Sequence, residues 1–330
     1  MAIYTLAALA WLPLRHVALS SRSVVVIALA LRAMLFVPEP LLSGDVYRYL
    51  SDGRVLASGG NPYEYTPSDP RINHPEIRSI YPPHAQLLFA AVHELHAWRL
   101  LIILADLCAI FFLRRYAFAY ATCPLVLFEG TWSGHIDALA AVLLAVAFVR
   151  KSGAAAGFAV GLKITPVAAL PAFFRQPAGK PGSRAAAFLT VLLLPILPFL
   201  GKPIMPGLRD YATRWIFASP AYELVFAIVS RIPTKTIWTH HPLRFEAISD
   251  FVYRHLYPDF LTRAILAAIA LGCIALARRA STAIAALLLC SPANHPWYWL
   301  VLVPLSLLER TRWIYIALCM PLTYLLYEGL

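Results

Sequence analysis

Apolar residues collect along this chain in long runs separated by short basic turns and two extended polar stretches. Residues 23–42, 98–113, 185–201, 261–277 and 313–327 form runs of roughly 15–20 residues, close to what a helix needs to cross hydrocarbon. Shorter runs lie at 116–128, 135–149, 154–174, 282–289 and 297–308. Within lipid such segments must be helical, because a helix satisfies its own backbone groups. Residues 1–14 are apolar but have no basic residue ahead of them, as a signal peptide would, and read as a short first span. The pattern predicts an all-α, polytopic transmembrane helical bundle of about ten or eleven hydrophobic segments, some short or re-entrant. No repeat or soluble domain is visible, so residues 1–330 form one integral membrane unit.

Composition agrees. Of 330 residues, 60% are hydrophobic and 14% charged, and mean hydropathy is +0.67. A soluble domain keeps roughly a quarter of its residues charged to wet its surface. The cysteines, Cys108, Cys123, Cys273, Cys290 and Cys319, all sit in hydrophobic runs without metal-ligand spacing and read as packing residues.

The net charge of +11 would suggest nucleic-acid binding in a soluble protein. Here the cations sit in turns: Arg15 and Arg22, Arg114–Arg115, Arg150–Lys151, Arg175 with Lys180 and Arg184, Arg278–Arg279, and Arg310 with Arg312. Glu309 is the one acid among them. That bias marks the cytoplasmic side and sets aside a nucleic-acid partner. The stretches 43–97 and 202–260, with turns 129–135 and 291–296, then face outward. The run 154–174 has basic flanks at both ends and is interrupted by Lys163 and Pro166, so it is expected to enter and return as two half-helices. The long outer stretches exceed simple connectors and are where functional residues concentrate.

The most informative stretch opens the first outer loop: Gly44-Asp45-Val46-Tyr47-Arg48-Tyr49-Leu50-Ser51-Asp52-Gly53-Arg54, then Gly59-Gly60-Asn61-Pro62-Tyr63. Asp45, Arg48, Tyr49 and Asp52 recur at helical spacing, placing two carboxylates and a guanidinium on one face of a short helix. A carboxylate beside a cation stays ionised and can accept a proton. The bland reading is an amphipathic interface helix.

This stretch, with Ile80-Tyr81-Pro82-Pro83-His84-Ala85-Gln86, resembles the first external loop of the C-type-fold membrane glycosyltransferases that use polyprenyl-phosphate sugars. It is most similar to the bacterial polyprenyl-phosphate-mannose-dependent mannosyltransferases, with D-x-x-R-Y-x-x-D-G, G-x-N-P-Y and Y-P-P-x-x-Q patterns. Ser133–Ala140, Gly161–Pro166 and Ser291–Tyr298 continue the resemblance in order. The chain departs from the family pattern at Ser51, where tryptophan is frequent, and at Ile136, where asparagine is, and it is short for the family. The resemblance implies inverting transfer of a sugar, mannose in these relatives, from a polyprenyl-phosphate donor to a hydroxyl of a glycan or glycolipid acceptor. It places the active site at the external, periplasmic face of a bacterial plasma membrane, without a cofactor. Asp45 corresponds to the family's base. The matched motifs carry substrate contacts to Asp52, Arg54, Asn61, Tyr63, Tyr81, Gln86, His135, Asp137 and Trp297, with Arg48 toward the donor phosphate.

Lys163 stands in an apolar run, at a cost of about 2.5–3.5 kcal/mol unless paired or facing a polar cavity. Its partner is either a lipid phosphate or one of Asp106 and Asp137. His295, beside Trp297 and Tyr298, either donates to the phosphate or belongs to an interfacial aromatic belt. His135 and Asp137, two apart, cannot face each other; His135 is expected near the external surface and Asp137 inside the bundle. Arg32 and Asp106 are expected to pair. Asp45, Asp52 and Asp137 offer oxygen ligands to a hard divalent cation, but no tight spacing indicates a metal and none is assigned. No nucleotide-binding signature appears. Rival readings are a transporter of lipid-linked sugars, disfavoured because the polar motifs gather on one side and no repeat is visible, and a non-catalytic relative.

Overall fold

The computed structural model describes residues 1–177, 181–231 and 257–326. The described chain consists of helices joined by irregular segments, among them 58–82; β-pairing among the described residues is confined to an isolated bridge between Phe217 and Ala293. The amino-terminal part contains α1 (Ala2–Leu14), α2 (Ser21–Phe36), α3 (Asp45–Ala57), α4 (Pro83–Ala91), α5 (Leu95–Leu113) and α6 (Ala117–Ala121). The centre follows with α7 (Asp137–Arg150), α8 (Gly153–Leu162), α9 (Leu170–Arg175), α10 (Pro181–Leu193), α11 (Gly207–Arg214) and α12 (Pro220–Val229). α13 (Pro258–Leu276), α14 (Ala280–Leu289), α15 (Leu302–Glu309) and α16 (Trp313–Cys319) complete the bundle.

Leu95–Ala121, Pro181–Phe199 and Pro258–Leu276 are long and apolar enough to cross a membrane, and the bent pair Val126–Trp132 and Asp137–Arg150, angled at 116°, adds a fourth candidate. The other apolar runs form shorter helices. Phe111, Leu271 and Leu276 are 73%, 67% and 83% exposed, a surface that suits lipid and not water. The protein is an α-helical membrane protein.

The stretch beginning at Leu95 is not straight. Tyr120 donates its hydroxyl to Asp106 Oδ1 at 2.7 Å, although a continuous helix would separate them by about 21 Å at 1.5 Å per residue. The chain reverses at Arg114, whose φ is +46°, as the basic pair Arg114–Arg115 suggests. The expected pairing of Arg32 with Asp106 is present: the guanidinium lies 3.2 Å from the carboxylate, both fully buried. The segment after α7 also returns. Lys151 Nζ donates to Pro177 O at 2.7 Å, so residues 151 and 177 share one end, with the break at Lys163 (φ −148°, ψ 147°). Gly153 and Gly157 let α8 lie against α10: a Cβ on either would sit 1.9 Å from Arg184 O or 2.5 Å from Phe188 O.

The basic turns form a connected set. Arg15 donates to Tyr315 Oη, Arg310 to Tyr116 Oη, Arg175 to the carbonyls of Ala275 and Ala277, and Arg184 to that of Phe174. Glu309 accepts from the backbone N–H groups of Ala280 and Ser281, which explains the lone acid as a helix N-terminal cap.

Two expectations need correction. The stretch 202–260 is not loop alone: its described part contains α11 and the apolar α12, whose run is too short to register as a span. Its residues 232–256, like Lys180 and Tyr327, lie outside the described residues. The turn 129–135 is not an open turn at its end of the bundle, because Glu129, Thr131, Ser133 and His135 are all fully buried. Tyr324 covers Glu129 with a 3.0 Å hydrogen bond, and Trp297 covers His135.

Candidate active site

The predicted short helix forms as α3 and begins on Asp45. Gly44 precedes it because a Cβ there would sit 2.2 Å from Arg71 O; the loop 69–78 thereby closes over the start of α3. Arg48 secures that loop, donating to Ile77 O at 2.9 Å and His74 O at 2.8 Å. Tyr81 hydroxyl donates to Asp45 Oδ2 at 3.2 Å. Burial pushes the Asp45 carboxyl above the usual carboxylate range, while Lys163, Arg48 and the Tyr81 hydrogen bond act in the opposite sense.

Asp45 and Arg48 line a polar cavity of about 130 Å³ with His74, Arg78, Trp215 and His295. Beside it lies an apolar cavity of about 440 Å³, walled by Pro83, Val160, Leu192, Ile196 and Leu288 and holding Lys163 at its edge. The two share Ile80, Tyr81, Tyr211 and Tyr298, and Tyr211 and Tyr298 hydroxyls hydrogen-bond to each other along that partition. Ile164 and Leu193, on the apolar wall, are 59% and 54% exposed, so this cavity borders the lipid-facing surface.

Lys163 projects from the break after α8. Its Nζ lies 3.1 Å from Asp137 Oδ2, and 5.2 Å and 5.0 Å from the ring centroids of Tyr81 and Tyr298. The sequence left a lipid phosphate or an acidic partner as alternatives. The Asp137 pair is present, and the ammonium still borders the apolar cavity with donors to spare, so the two are compatible.

Two of the residues that line the polar cavity, His295 and Trp297, belong to a column of four stacked rings. His135 lies 4.2 Å from Trp297, Trp297 4.5 Å from His295, and His295 4.8 Å from Phe217. Both faces of Trp297 are covered by histidines, so it meets the polar cavity with its edge. His135, placed by the sequence near the surface, is enclosed, with Nε2 3.3 Å from Glu129 Oε2. Burial, with Lys163 nearby, pushes His295 down to about 3, so it borders the cavity as a neutral imidazole.

The structure thus brings Asp45, Arg48, Tyr81, Lys163, Asp137, His295 and Trp297 together. Other predicted residues stand apart. Asp52 accepts from Gln86 at 3.1 Å behind α3, and burial pushes its carboxyl up to about 6. Arg54 lines a separate surface groove with Tyr65 and Asp69. Asn61 Oδ1 accepts from Tyr63 N, and Tyr63 hydroxyl donates to Tyr81 O at 2.8 Å. Sequence reasoning missed His74, Tyr211, Trp215 and the wall role of Tyr298. Tyr211 on α11 and Trp215, the extended residue that follows the helix, were legible only as an aromatic pair. Among the described residues no three His, Cys, Asp or Glu side chains are arranged to hold a metal ion, Asp52 being engaged elsewhere.

No curated protein and no solved structure matches the chain. Residues 2–81 match the model of the MptA_B family, described as alpha-(1->6)-mannopyranosyltransferase, N-terminal domain. That segment ends on Tyr81 and contains Asp45, the two partners of the hydrogen bond at the centre of the site. The match covers about a quarter of the chain and agrees with the resemblance to membrane mannosyltransferases drawn from the motifs between Asp45 and Tyr81; the later motifs lie outside it.

Proposed function

We propose that the protein transfers mannose from a polyprenyl-phosphate donor to an acceptor hydroxyl, with inversion at the anomeric carbon and Asp45 as base. The carrying observation is the adjoining pair of cavities, one apolar and edged by Lys163, the other polar and lined by Asp45, with a shared tyrosine wall. The isoprenoid chain lies in the apolar cavity, whose wall reaches the lipid-facing surface. Lys163 receives the phosphate there, and its charge stabilises the anion that departs. The acceptor occupies the polar cavity against Asp45. Its hydroxyl oxygen attacks the anomeric carbon, the bond from that carbon to the phosphate oxygen breaks, and the electron pair leaves with polyprenyl phosphate. The hydroxyl proton passes to Asp45. A phosphate of low basicity departs without a general acid, so one carboxylate suffices where glycoside hydrolysis uses two. An external location is supported by the site's elements: α7 runs from Asp137 to the basic end at Arg150, about 20 Å away at 1.5 Å per residue.

The test is Asp45→Asn in purified protein supplied with polyprenyl-phosphate mannose and a glycan or glycolipid acceptor. The variant should retain donor binding and lose transfer. Wild-type transfer by Asp45→Asn would remove the base, and movement of labelled lipid across vesicles without a new glycosidic bond would point to a transporter.

A further inference from the structure

The Gly59–Tyr63 turn borders neither cavity, yet hydrogen bonds lead from it to the carboxylate at the centre of the site. Asn61 Oδ1 accepts from Tyr63 N at 3.1 Å and so shapes the turn. Tyr63 hydroxyl, fully buried, donates to the backbone carbonyl of Tyr81 at 2.8 Å. Tyr81 hydroxyl then donates to Asp45 Oδ2 at 3.2 Å. The Tyr81 ring is clamped edge-on, with centroids 5.0 Å from Tyr49 and 5.5 Å from Phe89. Its hydroxyl has one hydrogen, and Tyr49 Oη at 3.5 Å is a weaker and more distant acceptor than the carboxylate.

A carboxylate turns easily about its terminal torsion, which is broad and roughly two-fold. Asp45 is faced by Arg48 on its own helix, Lys163 from the break after α8, and His74 from the covering loop. Asp137, Glu129, Tyr49, Tyr211 and Tyr298 act on it from farther off. Among the described residues Tyr81 alone hydrogen-bonds its side chain.

We propose that Tyr81 is a positioning residue: it fixes the Asp45 carboxylate through Oδ2, leaving Oδ1 for the acceptor hydroxyl, and the Gly59–Tyr63 turn acts on the reaction through it. The inference rests on the reading of Asp45 as the base. It assigns the turn a role in the transfer step although none of its atoms lines the site. The same hydrogen bond favours the ionised carboxylate against the burial that opposes it.

Tyr81→Phe tests this in the full-length protein with polyprenyl-phosphate mannose as donor. Loss of a hydrogen bond to a charged group should lower kcat by about ten- to a hundredfold. Donor KM should stay close to wild type, and the acidic limb of kcat/KM should move to higher pH, because Asp45 then loses its charge at higher pH. Tyr63→Phe, which keeps the Tyr81 phenol, should shift both quantities in the same direction by less. It also carries the test if Tyr81→Phe does not fold. Unchanged kcat and an unmoved acidic limb in a folded variant would overturn the inference. So would a loss expressed as a raised donor KM with the limb in place, since Tyr81 would then act through Lys163. Asp45→Asn separates the two claims. If it still transfers sugar, the base assignment fails; if it is inactive while Tyr81→Phe behaves as wild type, only the positioning role fails.

Discussion

Lys163 Nζ and Asp137 Oδ2 meet at 3.1 Å between two interrupted helices, the cation from the break after α8 and the carboxylate from the first residue of α7. Neither helix break explains itself locally. Together they place an ion pair at the edge of an apolar cavity, where backbone irregularity is tolerated because protein surrounds it.

Lys163→Ala leaves Asp137 buried and unpaired, at an expected cost of about 3–5 kcal/mol. A thermal melt in detergent should show that loss, and donor KM should rise more than acceptor KM. Adding Asp137→Asn should restore much of the stability without restoring donor use. A double variant with wild-type donor KM would show that Lys163 serves the fold alone.

Asp106→Asn should behave differently. The Arg32–Asp106 pair, with Tyr120 as third partner, ties α2 to the α5–α6 hairpin remote from both cavities. Leaving Arg32 uncompensated should again cost about 3–5 kcal/mol. Specific activity of the folded fraction should stay at the wild-type value, and a changed KM would contradict a structural role.

Gly161 meets His84 at the apolar cavity. A Cβ would sit 2.4 Å from the imidazole, which is held by Val191 O at 2.8 Å. Gly161→Ala should therefore destabilise by about 1–3 kcal/mol through overpacking and raise donor KM by narrowing the cavity. His84→Ala added to it should recover part of both losses. A Gly161→Ala protein with unaltered melting and kinetics would show that His84 moves aside freely.

Asp52 gives a pH prediction. Its folded-state value of about 6, raised from 3.8 by burial, means the folded protein holds this proton more tightly than the unfolded chain. The associated stability is present below pH ~4 and is lost as pH rises through about 6. The difference of about two units corresponds to about 3 kcal/mol. Wild type should lose stability relative to Asp52→Asn between about pH 4 and 7, measured as the difference in melting temperature. Parallel melting curves across that range would refute the assignment.

The site was partly readable from the chain. Asp45 stood out because it opens a helix with Arg48 at i+3, a local relation that spacing records. Tyr81 was caught by its motif, but not its bond to Asp45 across 36 residues. Asp52 shares the helical spacing of Asp45 yet faces Gln86 behind α3, and periodicity cannot tell which neighbour a face will meet. Asn61 and Tyr63 looked like substrate contacts and prove to shape the backbone that carries Tyr81.

By itself the sequence determined the membrane character, the helices, the grouping of the basic turns and the acid that begins α3. These follow from runs of side chains against lipid and from charges within a helical turn of each other, both local along the chain. Tertiary structure alone decided that Lys163 pairs with Asp137 and not Asp106, that His135 is sealed beneath Trp297, and that Tyr211 and Tyr298 divide two cavities. Those contacts join residues up to 162 positions apart, and no local period of hydrophobicity or charge encodes which distant helix will pack against another.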